Sequence, residues 1–194
     1  MSIKNILQIG DSKLKAKNKI ISNSNSLIIQ RIICDLVDTM RANDLVGIAA
    51  PQIGKNYQII VTEPRKTKTR TADQADELRI YLNPKIIKTS LKEDIIYEGC
   101  GSVAHGELFA PVKRSKQITI EAFNKKMQKF RLECDGLLGR VIQHEYDHLS
   151  GVEFTEKISD YAKLTSRDFY IKDIKNSSEQ VNASKITIKK YSRV

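Results

Sequence analysis

The stretch Gln143-His144-Glu145-Tyr146-Asp147-His148-Leu149 decides how this chain is read. It sets two imidazoles four residues apart with a carboxylate between them. In a helix, His144 and His148 lie on one face, one turn apart. Both rings can then grip one metal ion, while Glu145 projects beside it toward a water on the ion. This is the layout of a hydrolytic metal centre, in which the ion acidifies a water and the carboxylate takes its proton. The bland alternative is a polar helix face with two surface histidines. The chain has 3 histidines, and two of them fall at this spacing, which favours the metal centre; the third, His105, is isolated and expected on the surface.

Working outward, Asp135 is placed to cap this helix, Leu137, Leu138, Val141 and Ile142 to face inward, and Gly151 to stop it. Upstream, Gln117 to Phe123 alternates, Asn124-Lys125-Lys126 turns, and Met127 to Cys134 alternates again, which predicts a β-hairpin. Ile95 to Cys100, Gln58 to Thr62 and Ile80 to Ile87 read as further strands. Ile28, Ile29, Ile32, Ile33, Leu36, Val37 and Met40 follow helical spacing, with Asn25 as cap. Cys34 lies near that stripe and reads as a buried small hydrophobe, as does Cys134. The polar run from Glu63 to Glu77 has no period and reads as a surface loop. Together these predict an α+β fold, with mixed or antiparallel strands around a central helix carrying the H-E-x-x-H segment.

At 194 residues the chain fits one domain with a real core. An odd set of three cysteines without regular spacing argues against a disulfide framework and for a reducing compartment. No signal-peptide run and no stretch of ~18 apolar residues is visible, so a cytoplasmic protein without a membrane span is expected. Lys plus Arg total 33 against 23 Asp plus Glu, a net charge of +10. Such an excess suits an anionic partner such as an RNA-rich particle, and equally a merely solvated basic exterior.

A catalytic metal of this type takes three protein ligands and one open position. A histidine six residues after His148 would serve, but Phe154 stands there. Glu153 and Glu156 are too close in sequence to return, and Glu179 remains a weaker alternative. Cys100 is the better candidate. It ends a predicted strand, Gly99 and Gly101 flank it so that backbone can approach an ion, and a metal stabilises the thiolate.

Three segments then stand in order: Gly47-Ile48-Ala49-Ala50-Pro51-Gln52, Glu98-Gly99-Cys100-Gly101-Ser102 and the opening heptapeptide. They resemble the signature segments of peptide deformylases, written G-x-G-[IL]-A-A-x-Q, E-G-C-[LE]-S and Q-H-E-x-D-H-L, and the likeness covers residues 5 to 156. It implies removal of the N-formyl group from formyl-methionine of nascent chains, with release of formate. It also implies Cys100, His144 and His148 as ligands of one divalent ion, usually Fe(II), with nickel, cobalt or zinc as substitutes. Glu145 would be general base and then proton donor, with the Gln52 amide and the Gly101 N–H stabilising the oxyanion. Val46, Gly47 and Gly99 would pair with the peptide backbone. Ile96, Leu137 and Val141 would line the methionine pocket.

Two positions depart from the pattern: Leu45 replaces the first glycine, and Gly101 replaces the usual Leu or Glu after the metal cysteine. Reduced turnover is expected from these departures, with a gain on Gly101→Leu. They also motivate two rivals, a hydrolase for another formamide or amide and a low-activity ribosome-associated paralogue. Residues 1–156 read as the catalytic domain and 157–194 as a basic C-terminal extension. The extension holds nine Lys or Arg and four Asp or Glu. Lys185, Lys189, Lys190 and Arg193 resemble a ribosome-docking set, and a monomer is expected. Truncation near residue 175 is then expected to spare turnover of small peptides.

Overall fold

The computed structural model describes residues 2–68 and 70–193. The first helix, α1, spans Leu27–Ala42. Among the described residues nine strands follow in order: β1 (Gly47–Ala49), β2 (Ile59–Thr62), β3 (Arg79–Thr89), β4 (Glu93–Gly99), β5 (Leu108–Ser115), β6 (Gln117–Phe123), β7 (Lys129–Asp135), β8 (Thr165–Ser166) and β9 (Ile188–Arg193). Helix α2, Gly136–Leu149, sits between β7 and β8. Short α3 (Arg167–Phe169), widening into a π turn, and α4 (Ser178–Ser184) lie between β8 and β9. The strands form a six-stranded sheet ordered β1-β2-β3-β6-β7-β9 and a three-stranded sheet ordered β4-β5-β8, with every strand pair antiparallel. The expected α+β architecture is what forms.

Helix α2 packs against β1, β2, β6 and β7 of the larger sheet and β5 of the smaller one. Its apolar positions explain this placement. Leu138 and Ile142 are buried with Tyr81, Ile118, Ile120, Leu132 and Cys134 in one core. Helix α1 closes a second core, in which Ile29, Ile32, Ile33, Leu36 and Met40 meet Ile48, Ile53, Ile59, Val61 and Leu82. The hairpin turns where expected: Asn124 Oδ1 accepts from the N–H groups of Lys126 and Gln128.

Local details depart from the sequence reading. Asn25 does not cap α1; Ser26 holds that position, without a side-chain capping bond. Asp135 does stand at the N-cap of α2, but its carboxylate accepts from the Thr187 N–H at 2.6 Å rather than from the helix. Cys34 is exposed, because Ile32, Ile33 and Leu36 already fill the buried face of α1. Strand β5 had no clear apolar alternation and was not expected. Gly151, at φ 71, does end α2.

The C-terminal residues are built onto this body. Strand β8 pairs with β5, and β9 pairs with β7 from Phe130↔Arg193 to Cys134↔Ile188. Cutting near residue 175 would remove α4 and an edge strand of the larger sheet, so truncation would disturb the fold itself. Among the described residues no helix is long and apolar enough to cross a membrane.

Candidate active site

Helix α2 presents His144 and His148 on its buried face, and β4 delivers Cys100 to them from the other sheet. Their ligand atoms all lie within 4.8 Å of one another. Cys100 Sγ is 3.2 Å from His148 Nε2. Three buried donors from segments more than forty residues apart thus converge on one point.

Glu98 explains why His144 points there. Its Oε2 lies 3.0 Å from His144 Nδ1, so Nδ1–H donates to the carboxylate and Nε2 is left for the cluster. The same carboxylate accepts from Arg114 Nε at 2.7 Å, Arg114 Nη2 at 3.0 Å and Arg140 Nη1 at 2.6 Å. Burial alone would push Glu98 up, but the Arg114 and His144 contacts outweigh it and hold the carboxyl well below its ordinary range. Arg114 also bonds Asp147 on α2 at 2.8 Å, which fastens β5 to the helix.

Glu145 behaves differently. It is buried, and its Oε2 has no hydrogen-bond partner among the described residues. Burial raises its pKa to about 7. A buried oxygen without a partner is costly unless something binds there, and a polar reactant at the cluster would meet it. Gly47 makes room for this carboxylate. A Cβ at 47 would lie 2.8 Å from Glu145 Oε1 and 2.5 Å from Val141 Cγ1. Gln52 is also buried. Its Oε1 accepts from the Ala49 N–H at 2.8 Å, which turns Nε2 toward Ser102 Oγ at 3.2 Å and Cys100 Sγ at 3.7 Å.

The donor set fits a divalent cation. Burial disfavours a charged His144, yet Cys100, Glu98 and Glu145 overcome that and hold its pKa well above normal. Burial and the neighbouring His144 charge push His148 well below normal. A divalent cation in the cluster would take the place of that proton, and a sulfur with two imidazoles suits one.

A cavity of about 340 Å³ opens from this cluster. Val46, Gly47, Gln52, Ile96, Gly99, Cys100, Gly101, Leu137, Val141, His144 and Glu145 all line it. His148 lies behind, reaching the cluster through its contact with Cys100. His105 is exposed at the rim, away from the cluster, with its N–H held by Gln8 at 2.9 Å. Sequence reading missed Glu98, Arg114 and Arg140 as a supporting network; the place of Glu98 beside Cys100 was the available signal. It also missed Arg70, Gln74, Tyr170 and Gln180, which line the outer cavity and carried no motif.

Residues 3–164 match the polypeptide deformylase family. A peptide deformylase of Pseudothermotoga lettingae is 34% identical over 177 residues, 91% of this chain and 95% of that protein. The Met-Ala-Ser-bound class I type b peptide deformylase of Acinetobacter baumannii superposes with a TM-score of 0.74 at 26% identity, over 81% of this chain and 99% of that one. The peptide deformylase of Ehrlichia chaffeensis gives 0.73 at 26% identity, over 90% and 96%. The chain belongs to the peptide deformylase family, metal-dependent hydrolases that remove N-formyl groups from nascent polypeptides.

Proposed function

We propose that Cys100, His144 and His148 hold the catalytic metal and that Glu145 moves the protons of the reaction. The observation that carries this reading is the meeting of one sulfur and two imidazoles beside a buried carboxylate oxygen that has no hydrogen-bond partner among the described residues. A divalent cation there would acidify a water and polarise the formyl carbonyl. Glu145 accepts a proton as water attacks the formyl carbon and returns it to the departing amine, leaving formate and a free N-terminus. Its burial beside the cluster, with one oxygen left without a partner among the described residues, suits both transfers. The Gln52 amide and the Gly101 N–H donate to the developing oxyanion. Val46, Gly47 and Gly99 pair with the peptide backbone, and Ile96, Leu137 and Val141 receive the methionine side chain.

Fe(II) is proposed as the physiological ion, in keeping with the family, with nickel, cobalt and zinc able to use the same mixed donors. The Met-Ala-Ser ligand of the Acinetobacter relative supports a substrate that begins with methionine. Residues 1–156 carry this machinery, and 157–194 wrap it as a basic extension. We place the protein in the cytoplasm as a monomer, with Lys185, Lys189, Lys190 and Arg193 docking on the ribosome. Replacing those four by Gln should abolish low-salt pelleting with ribosomes; unchanged pelleting would refute the docking. Formate release should be faster from formyl-Met-Ala than from N-formyl compounds lacking a methionine side chain. Equal rates would favour a hydrolase for another formamide.

A further inference from the structure

The outer wall of the cavity is made by two pieces outside the metal cluster, the loop after β2 and residues 165–184. They are tied together: Ile186 N donates to Asp73 O at 2.7 Å, and Gln74 Nε2 to Val181 O at 3.5 Å. They are also fixed to the smaller sheet. The Gln180 side chain makes a paired bond with the Tyr97 backbone on β4, accepting from N–H at 3.0 Å and donating to C=O at 3.1 Å. The Tyr170 ring stacks on Phe109 of β5 with centroids 4.1 Å apart and planes 6° apart.

This fixed wall carries three cations that line the cavity: Arg70, Arg167 and Lys175. Arg70 spends one N–H on the Arg65 carbonyl at 2.8 Å. Arg167 reaches exposed Glu107 only at 3.8 Å. Among the described residues, neither Arg70 nor Lys175 forms an ion pair with a carboxylate. Burial lowers the pKa of Lys175, and the nearby charges of Arg70 and Arg167 lower it further. Of the acids lining the cavity, Glu98 is consumed by its arginines, Glu145 sits at the cluster and Asp44 lies on the loop before β1, while exposed Glu107 stands beside Arg167 alone. Arg70 and Lys175, partly buried and without a carboxylate partner among the described residues, with exposed Arg167 beside them, are a site for an anion, and arginine suits a carboxylate through its paired donors.

We propose that Arg70, Lys175 and Arg167 form a subsite that reads a carboxylate on the substrate downstream of the formyl-methionine. The carboxylate comes either from an Asp or Glu side chain or from the free C-terminus of a short peptide. This rests on the deformylase reading above. A peptide anchored by its formyl end at the cluster and leaving in extended form advances about 3.3 Å per residue and alternates its side chains. One of its next positions therefore passes the cationic wall as it leaves the cavity.

The test compares kcat/KM of the metal-loaded enzyme on formyl-Met-Ala-Ala-amide with peptides carrying Glu or Lys at the second, third or fourth position, also as amides. The free acid of formyl-Met-Ala-Ala forms a separate arm. At low salt, at least one Glu peptide or the free acid should be favoured about fivefold over the neutral amide, as a partly screened charge pair allows. The arm that responds identifies the source of the carboxylate. The preference should fall toward one in the Arg70→Gln/Lys175→Gln double variant and in high salt. It should persist in Lys88→Gln, a charge removed from an exposed position on β3 outside the cavity. Equal kcat/KM for acidic, neutral and basic peptides would overturn the subsite, as would a double variant that keeps the full preference. If no formyl peptide is turned over, the deformylase reading fails instead. Calorimetric binding of Met-Ala-Ala-amide with and without Glu at each position then still decides the subsite, equal affinities overturning it.

Discussion

Replacing Gly101 by Leu should damage this enzyme, although Leu is what the family pattern carries there. A Cβ at 101 would stand 3.4 Å from Ile6 Cδ1, 3.4 Å from Leu45 Cδ1 and 3.5 Å from Leu45 Cδ2. An Ala therefore fits at ordinary contact distance, while the three further carbons of Leu would press on Leu45 and Ile6, the nearest side chains. Leu45 and Gly101, the two departures from the family pattern, are thus one exchange of bulk across a contact. The backbone at 101 has little freedom to yield, since Gln8 Nε2 donates to the Gly101 carbonyl at 2.9 Å and Ile9 N to the Ser102 carbonyl at 2.7 Å. Overpacking of this kind costs about 1–3 kcal/mol. Tilting the Gly101 N–H out of line would add up to about 3–4 kcal/mol in the transition state.

Formate release from formyl-Met-Ala should therefore stay within about twofold of wild type for Gly101→Ala and drop at least tenfold for Gly101→Leu. The Leu45→Gly/Gly101→Leu double variant should regain most of that loss, a coupling that additive effects cannot produce. This contact predicts a loss for Gly101→Leu where the sequence alone predicted a gain. A Gly101→Leu enzyme as fast as wild type, or a double variant whose losses simply add, would refute the reasoning.

Other consequences follow from the buried charges. Glu145 is raised to about 7 from an ordinary 4.5, mainly by burial, so its contribution to stability is present below pH 4.5 and lost as pH rises through 7. Glu145→Gln should thus abolish turnover yet stabilise the metal-free protein at pH 8, by at most ~3 kcal/mol. That gain should vanish toward pH 4.5; a destabilised variant at pH 8, seen by thermal unfolding, would contradict it. Glu98→Gln leaves His144 without its carboxylate and should weaken metal affinity about 10- to 100-fold, measured by competition with a chelator. Unchanged affinity would show that the network does not orient the imidazole. Of the three thiols, Cys34 alone is exposed, so a thiol reagent should label one cysteine rapidly in the folded metal-loaded protein. Fast labelling of Cys100 or Cys134 would contradict their burial.

The sequence carried the centre of the site well because helical periodicity is local. The i, i+4 spacing of His144 and His148 and the apolar positions of α2 needed no tertiary information. Cys100 was reachable through its flanking glycines, and the family segments joined it to the helix. The Glu98 network was not legible, since it is assembled from β4, β5 and α2, and any surface Arg–Glu pair looks the same in sequence. The C-terminal wall was hidden for a related reason. Gln180 and Tyr170 earn their positions through a backbone pairing with Tyr97 and a ring stack on Phe109, and neither leaves a periodic signature. Cys34 was misplaced because a stripe of apolar residues fixes the face of a helix but not how far that face extends.

X-ray absorption at the metal edge of the loaded protein tests the central claim most directly. One sulfur at about 2.3 Å and two imidazole nitrogens near 2.0–2.1 Å are expected for a zinc-loaded sample, with the sulfur lost in Cys100→Ala. A shell of nitrogen and oxygen alone in the wild type, or a sulfur that survives the loss of Cys100, would contradict the account.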